Sequence, residues 1–173
     1  EKAASFDLLP DIEQQAGNIE LRQCLSRAQR KQGLLEQHYY DEPLGLGALR
    51  EQIAAHTQRG SGLDADNVVI THGCQHALLL ALMASTQPGD IVAMESPGFY
   101  GAIQLLETLG RQVIELPSSP VVGLDVEAFR EATKQWDIKA LIVAPNFSTP
   151  TGAAMPEEAK IALLECCVAR RIT

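Results

Sequence analysis

Short apolar runs recur along this chain, each followed by a helical pattern, and that alternation constrains the fold more than any other feature. The runs are NVVI (67–70), IVAM (91–94), QVIEL (112–116) and ALIVA (140–144). Helical patterns occupy 74–85, 99–109, 125–136 and 156–171. Strand, helix, strand, helix predicts βαβ units, because parallel neighbours need a crossover between them. Such strands are covered on both faces, so they read as solid apolar runs rather than alternating ones. The expected class is α/β, three αβα layers around a mainly parallel sheet. Two further helical patterns come first, 19–35 and 46–60, joined by the loop HYYDEPLGLG (38–47). This divides the chain into N-terminal helices and loop over 1–62 and βα units over 63–173. The final RRIT brings Ile172 and Thr173 to the point where the rhythm calls for another strand. The chain therefore reads as a piece of something longer.

Composition narrows the partners. Asp plus Glu is 22 and Lys plus Arg is 14, a net charge of −8. A nucleic-acid backbone or an anionic membrane surface needs the opposite balance. No apolar run has transmembrane length. The four cysteines, Cys24, Cys74, Cys166 and Cys167, form no C-x-x-C pair. They read as reduced thiols in a cytoplasmic protein.

In open α/β sheets, ligands bind beyond the carboxyl ends of the strands. Three of the four strand ends carry unusual residues: THGCQHAL, ESPGFYG and PNFSTPTG; the remaining one, PSSPVVG, reads as an ordinary loop. At the first, Gly73 permits a tight turn, and the amides of Cys74 and Gln75 open a helix, which suits a phosphate. The same residues admit a plain strand-to-helix turn, a metal site from His72, Cys74 and His76, or a nucleophilic Cys74. The metal reading lacks a neighbouring carboxylate, and the nucleophile lacks a base. At the second, Phe99 and Tyr100 either cap the core or lay one ring against a planar ligand. At the third, Asn146 or Thr149 offers polar contacts beside a stiff Pro-rich turn. Cradle, ring and polar edge together describe a site for a flat aromatic phosphate. Pyridoxal phosphate fits; a nucleotide also fits, but neither G-x-G-x-x-G nor G-x-x-x-x-G-K-[ST] is present.

The segments YDEPLGLGALREQIAAH, VVITHGCQHALLLAL, PGDIVAMESPGFYGAIQLLETLG and APNFSTPTG, in that order, resemble the fold-type I aminotransferases. More narrowly, they are similar to the aminotransferase-like domain of MocR-type members of the GntR regulator family. The resemblance runs from about Ala28 to the end. It implies a partial large domain of that fold, with the cofactor phosphate on the amides at Cys74 and Gln75 and the pyridine ring against Phe99. It implies that Tyr40, with Glu42 inserted in the acidic slot of its motif, reaches the phosphate of a neighbouring subunit, hence a homodimer. Relatives usually place Asn where Thr149 stands, to contact the pyridine hydroxyl; Thr149 has a shorter reach.

The resemblance also shows what this chain lacks. Relatives carry an Asp facing the pyridine nitrogen, a Tyr, the Schiff-base Lys and an Arg for the substrate carboxylate further along the chain, and a MocR regulator carries a helix-turn-helix before this domain. The five lysines, Lys2, Lys31, Lys134, Lys139 and Lys160, do not follow the family's lysine motif. The expectation is a catalytically silent ligand-binding segment of a regulator, with pyridoxal phosphate held by the full-length parent and absent from this segment alone. Its effector would be a small amino-acid or vitamin-like molecule, and it would meet DNA only through the helix-turn-helix. The alternatives are a segment of a genuine class I/II aminotransferase acting on amino acids, and a relic of the fold that binds no cofactor.

Overall fold

The computed structural model describes residues 17–31, 42–57 and 63–173. The chain divides into two compact units, Glu1–Ile70 and Thr71–Thr173.

In the first unit, α1 covers Gly17–Lys31 and α2 covers Gly47–Thr57. Arg50 of α2 is buried and organises the segment before it. Its guanidinium donates to the Gly45 carbonyl (3.1 Å), the Ala65 carbonyl (2.8 Å) and the Glu42 carboxylate (2.8 Å). Gly45 closes a turn onto the Glu42 carbonyl (2.8 Å) at φ 92°, in the left-handed region that favours glycine. A Cβ there would also stand 2.6 Å from Ile70 Cβ.

The NVVI run is not a strand. Ala65–Asn67 form a 3-10 turn, with Asp64 as N-cap and the Asn67 side chain accepting from the Asp64 amide. The Ile70 amide donates to the Leu44 carbonyl (2.9 Å) in the preceding loop, not to a sheet neighbour. A four-residue apolar run does not decide its own hydrogen-bond partner, and here a capped turn consumes its first residue.

The second unit holds α3 (Cys74–Ser85), β1 (Ile91–Ser96), α4 (Tyr100–Thr108), β2 (Gln112–Ser119), β3 (Gly123–Leu124), α5 (Val126–Gln135), β4 (Ile138–Ile142) and α6 (Glu157–Arg170). The strand order is β3-β2-β1-β4. β1 lies parallel to both β2 and β4, while β3 pairs antiparallel with β2. The segment PSSPVVG is therefore more than a loop: β2 runs on to Ser119 and turns back, pairing Ser118 with Leu124 and Ser119 with Gly123. Thr173 donates to the Lys139 carbonyl (3.1 Å) and accepts from the Leu141 amide (2.9 Å), so the last residue lies alongside β4.

Alternation along β1 separates the helix layers. Val92 and Met94 face one way and pack with Leu82 of α3, Ala102 and Leu106 of α4, and Ala140 of β4. Ala93 faces the other way and packs with Leu116, Ile138, Phe129 of α5 and Leu163 of α6. This is the three-layer αβα arrangement. Helix ends follow local chemistry. The Asp125 side chain caps α5 by accepting from the Glu127 and Ala128 amides (3.0 Å each). Pro156 precedes Glu157 and Glu158 at the start of α6, where acids suit the helix dipole. At the far end of α3, Arg111 grips buried Thr86 through its hydroxyl (3.0 Å) and carbonyl (2.8 Å). That ties α3 to the turn between α4 and β2.

Candidate functional site

The site is built where the carboxyl ends of β1 and β4 meet the start of α3. Gly73 is the N-cap of α3 at φ 92° and supplies no side-chain cap. A Cβ on Gly73 would meet nothing within 4 Å, so the space before the helix end is open. Among the described residues, the amides of Cys74 and Gln75 have no acceptor; the first helical bond here runs from Ala77 to the Gly73 carbonyl (3.1 Å). No acidic side chain occupies the first turn. An anion meets donors here without a competing carboxylate in that turn.

His72 and His76 flank this turn. Their rings stack with centroids 5.4 Å apart, and the His72 amide donates to Nδ1 of His76 (3.1 Å). That bond makes His76 a brace for the turn. Among the described residues, no group of three or more His, Cys, Asp or Glu is gathered to hold a metal ion. Cys74 is an exposed free thiol, whereas burial, and then the neighbouring Cys166, pushes the Cys167 thiol up from its ordinary value.

β1 leads into α4 through Pro97, Gly98 and Phe99. Gly98 is required by crowding: a Cβ there would sit on the Glu95 carbonyl oxygen and 3.2 Å from Met94 Cε. Gly101, in the first turn of α4, is crowded in the same way. A Cβ on it would overlap Nε2 of the Gln75 side chain and lie 2.5 Å from Phe99 Cε1 and 2.8 Å from Cζ. The bare backbone at Gly101 lets the Phe99 ring and the Gln75 side chain lie close against α4.

These elements enclose a cavity of about 630 Å³, walled by Leu78, Ala81, Met94, Ala102 and Ile142 and edged by Cys74, Gln75, Glu95, Phe99 and Thr149. A mostly apolar lining with a few polar groups is what a small planar ligand requires. Four of the residues singled out from the sequence are thus brought together: Cys74, Gln75, Phe99 and Thr149. Gly73 sits directly before them. Tyr100 does not line the cavity; it is 70% exposed, against 43% for Phe99, and its ring tilts 47° to the Phe99 ring at 5.2 Å. Asn146 is exposed on the loop after β4 and does not line the cavity. Tyr40 lies outside the described residues.

Sequence reasoning missed Glu95 and Gly101. Glu95 is the buried acid closing an apolar strand, a pattern visible in IVAMES. Gly101, in the first turn of a helix, has no sequence signal for the contact it permits.

The chain matches the family model described as aminotransferase class I and II over residues 14–173. It is 48% identical over 126 residues to the uncharacterized HTH-type transcriptional regulator YjiR of Escherichia coli, covering 72% of this chain and 27% of that protein. It is 36% identical over 135 residues to a valine–pyruvate aminotransferase of Mycobacterium tuberculosis, covering 77% of this chain and 34% of the enzyme. Among solved structures, it superposes on LysN, the alpha-aminoadipate aminotransferase of Thermus thermophilus complexed with N-(5'-phosphopyridoxyl)-L-leucine. That likeness has a TM-score of 0.80 at 28% identity and covers 90% of this chain and 39% of LysN. The chain thus spans about a third or less of the curated relatives it matches. With its mainly parallel sheet, its glycine-opened α3 and a family match over nearly its whole length, the chain belongs to the class I and II aminotransferase family.

Proposed function

We propose that the cavity holds pyridoxal phosphate and that the whole protein is a transcription regulator whose ligand domain uses this fold. The cofactor reading is supported by the open space at Gly73, which faces two donors without acceptors among the described residues. The Cys74 and Gln75 amides hold the phosphate. The Phe99 ring lies against the pyridine, and the Thr149 hydroxyl serves its polar edge, with Asn146 a second polar group on the same loop. Tyr40 reaches the phosphate held by the other subunit of a homodimer. Bound pyridoxal phosphate supplies an electron sink for bonds at an amino acid's α-carbon. No lysine lines the cavity among the described residues. Lys134, Lys139 and Lys160 pair with Glu131, Asp137 and Glu157 on the surface. The described residues therefore bind and orient, and among them none supplies an amine at the cavity for covalent attachment.

The regulator reading is carried by one observation, the 48% identity to an HTH-type transcriptional regulator. The effector is a small amino-acid or vitamin-like molecule, and DNA is met through a separate helix-turn-helix. The net charge of −8 supports DNA contact lying outside this segment. No helix among the described residues is long and apolar enough to cross a membrane. We place the protein in the cytoplasm. The second reading, an aminotransferase acting on amino acids, is favoured by the 36% identity to the valine–pyruvate enzyme.

The test is made on the full-length protein. Retardation of the DNA upstream of its own gene, altered by pyridoxal phosphate and without amino-group transfer, supports the regulator. Rapid transfer from amino acids to 2-oxo acids without DNA binding selects the enzyme. Absence of any cofactor absorption band overturns the cofactor reading.

A further inference from the structure

β1 carries one charged side chain where its neighbours are apolar. Val92, Ala93 and Met94 are core residues, and Glu95, next in line, is only 5% exposed. Burying a carboxylate is costly unless its oxygens are hydrogen-bonded. Among the described residues Glu95 has no cationic partner; hydrogen-bond donors take that role. The Ala144 amide (2.8 Å) and the Ser148 hydroxyl (2.9 Å) both donate to Oε1. The Ser118 hydroxyl donates to Oε2 (3.3 Å).

The donors come from two other strand ends. Ser118 belongs to β2, while Ala144 and Ser148 lie in the loop that leaves β4. That loop is closed on itself: the Ser148 amide donates to the Ala153 carbonyl (2.9 Å), the Gly152 amide to the Ser148 carbonyl (2.5 Å), and the Met155 amide to the Pro145 carbonyl (2.8 Å). Among the described residues its hydrogen bonds to a sheet side chain run to Glu95, while Met155 at its far end packs into the core with Ala93, Leu116 and Leu124. Ser148 is fully buried, and the next residue is Thr149, which edges the cavity.

We propose that Glu95 is a positioning residue that fixes the β4 loop, and through Ser148 sets Thr149 against the cavity. The consequence for cofactor binding rests on the proposed pyridoxal phosphate reading; the anchoring itself does not. The geometry also dictates which substitution is tolerated. Oε1 faces a backbone N–H, which cannot reverse, and Oε2 faces only a hydroxyl, which can rotate and accept. A glutamine can keep its oxygen at Oε1 and donate from the other position to Ser118. An alanine leaves the Ala144 amide and Ser148 hydroxyl without an acceptor.

The experiment compares Glu95→Ala, Glu95→Gln, Thr149→Ala and the Glu95→Ala/Thr149→Ala pair in the full-length protein. Amide hydrogen exchange is followed over residues 144–153, and cofactor affinity by titration with pyridoxal phosphate. Glu95→Ala speeds exchange in the loop and weakens the cofactor, each about tenfold, while Glu95→Gln keeps loop exchange near the parent. On the Thr149→Ala background, Glu95→Ala weakens the cofactor no further. Unchanged loop exchange in Glu95→Ala overturns the proposal, and so do cofactor losses that simply add in the double variant. Should Glu95→Ala fail to fold, Ser148→Ala removes the same link with less disturbance, and its loop exchange and non-additivity with Thr149→Ala decide the matter. Should the parent bind no pyridoxal phosphate, the cofactor reading falls while loop exchange still decides the anchor.

Discussion

Replacing Gly101 by alanine separates the site from the fold. The added Cβ would lie 2.5 Å from Phe99 Cε1, against about 3.5–4.0 Å for an ordinary carbon contact. The ring must therefore move by about 1 Å or more. It has somewhere to go, because Phe99 is 43% exposed at the cavity edge. The Gln75 side-chain Nε2, which the same Cβ would overlap, is also on an exposed residue. Alanine is favoured over glycine inside a helix by about 1 kcal/mol, which offsets much of the local crowding. The cost then falls on the site: displacing a stacked ring forfeits about 0.5–1.5 kcal/mol. Pyridoxal phosphate should bind about two- to tenfold more weakly, with thermal unfolding within a few degrees of the parent, about 1 kcal/mol at most. Cofactor titration and a thermal scan on one preparation measure both. Unchanged affinity in a folded variant refutes the placement of Phe99 over the ligand. A large loss of stability refutes the claim that the ring yields outward.

Phe99→Ala should weaken the cofactor about tenfold, at the upper end of stacking energies, and Tyr100→Ala much less; the reverse order in titration would put the ring assignment one residue off. Pyridoxal phosphate should slow iodoacetamide alkylation of Cys74 but not of exposed Cys24, as mapped by mass spectrometry. In the same experiment, Cys167 should react more slowly than Cys74 near neutral pH, because its raised pKa leaves less thiolate. Phe129→Ala should destabilise the protein by about 3–5 kcal/mol in denaturant unfolding, since that ring is fully buried between α5 and the sheet.

The layered fold was legible because its signals are local and repeated. β1, β2 and β4 read as apolar runs, and α5 and α6 announce their starts with Asp125 and Pro156. What failed was decided by pairing. Val68 to Ile70 look like a strand, but the Ile70 amide bonds to Leu44, and no periodicity specifies that partner. Val121 to Leu124 look like a loop, yet the chain reverses onto β2 there. At the site, Gly73, Cys74 and Gln75 could be singled out because a glycine opening an apolar helix suits an anion, although the same residues also admitted a plain strand-to-helix turn. Thr149 could be named with Asn146 as a polar group beside a Pro-rich turn, and the family pattern chose between them. Glu95 could be suspected as an acid at the end of an apolar strand, but its three donors come from residues 23 to 53 positions away. Gly101 could not be read at all, because its reason is the proximity of Gln75 and Phe99, which the packing of α3 on α4 creates.

The central claim is that the phosphate of pyridoxal phosphate rests on the open end of α3. Amide hydrogen exchange of the full-length protein, with and without the cofactor, tests it at the atoms concerned. The Cys74 and Gln75 amides have no acceptor among the described residues and should exchange freely without ligand. Saturating pyridoxal phosphate should slow both, with a smaller effect in the loop that carries Thr149. Cofactor binding that leaves the Cys74 and Gln75 amides exchanging as before would contradict the account.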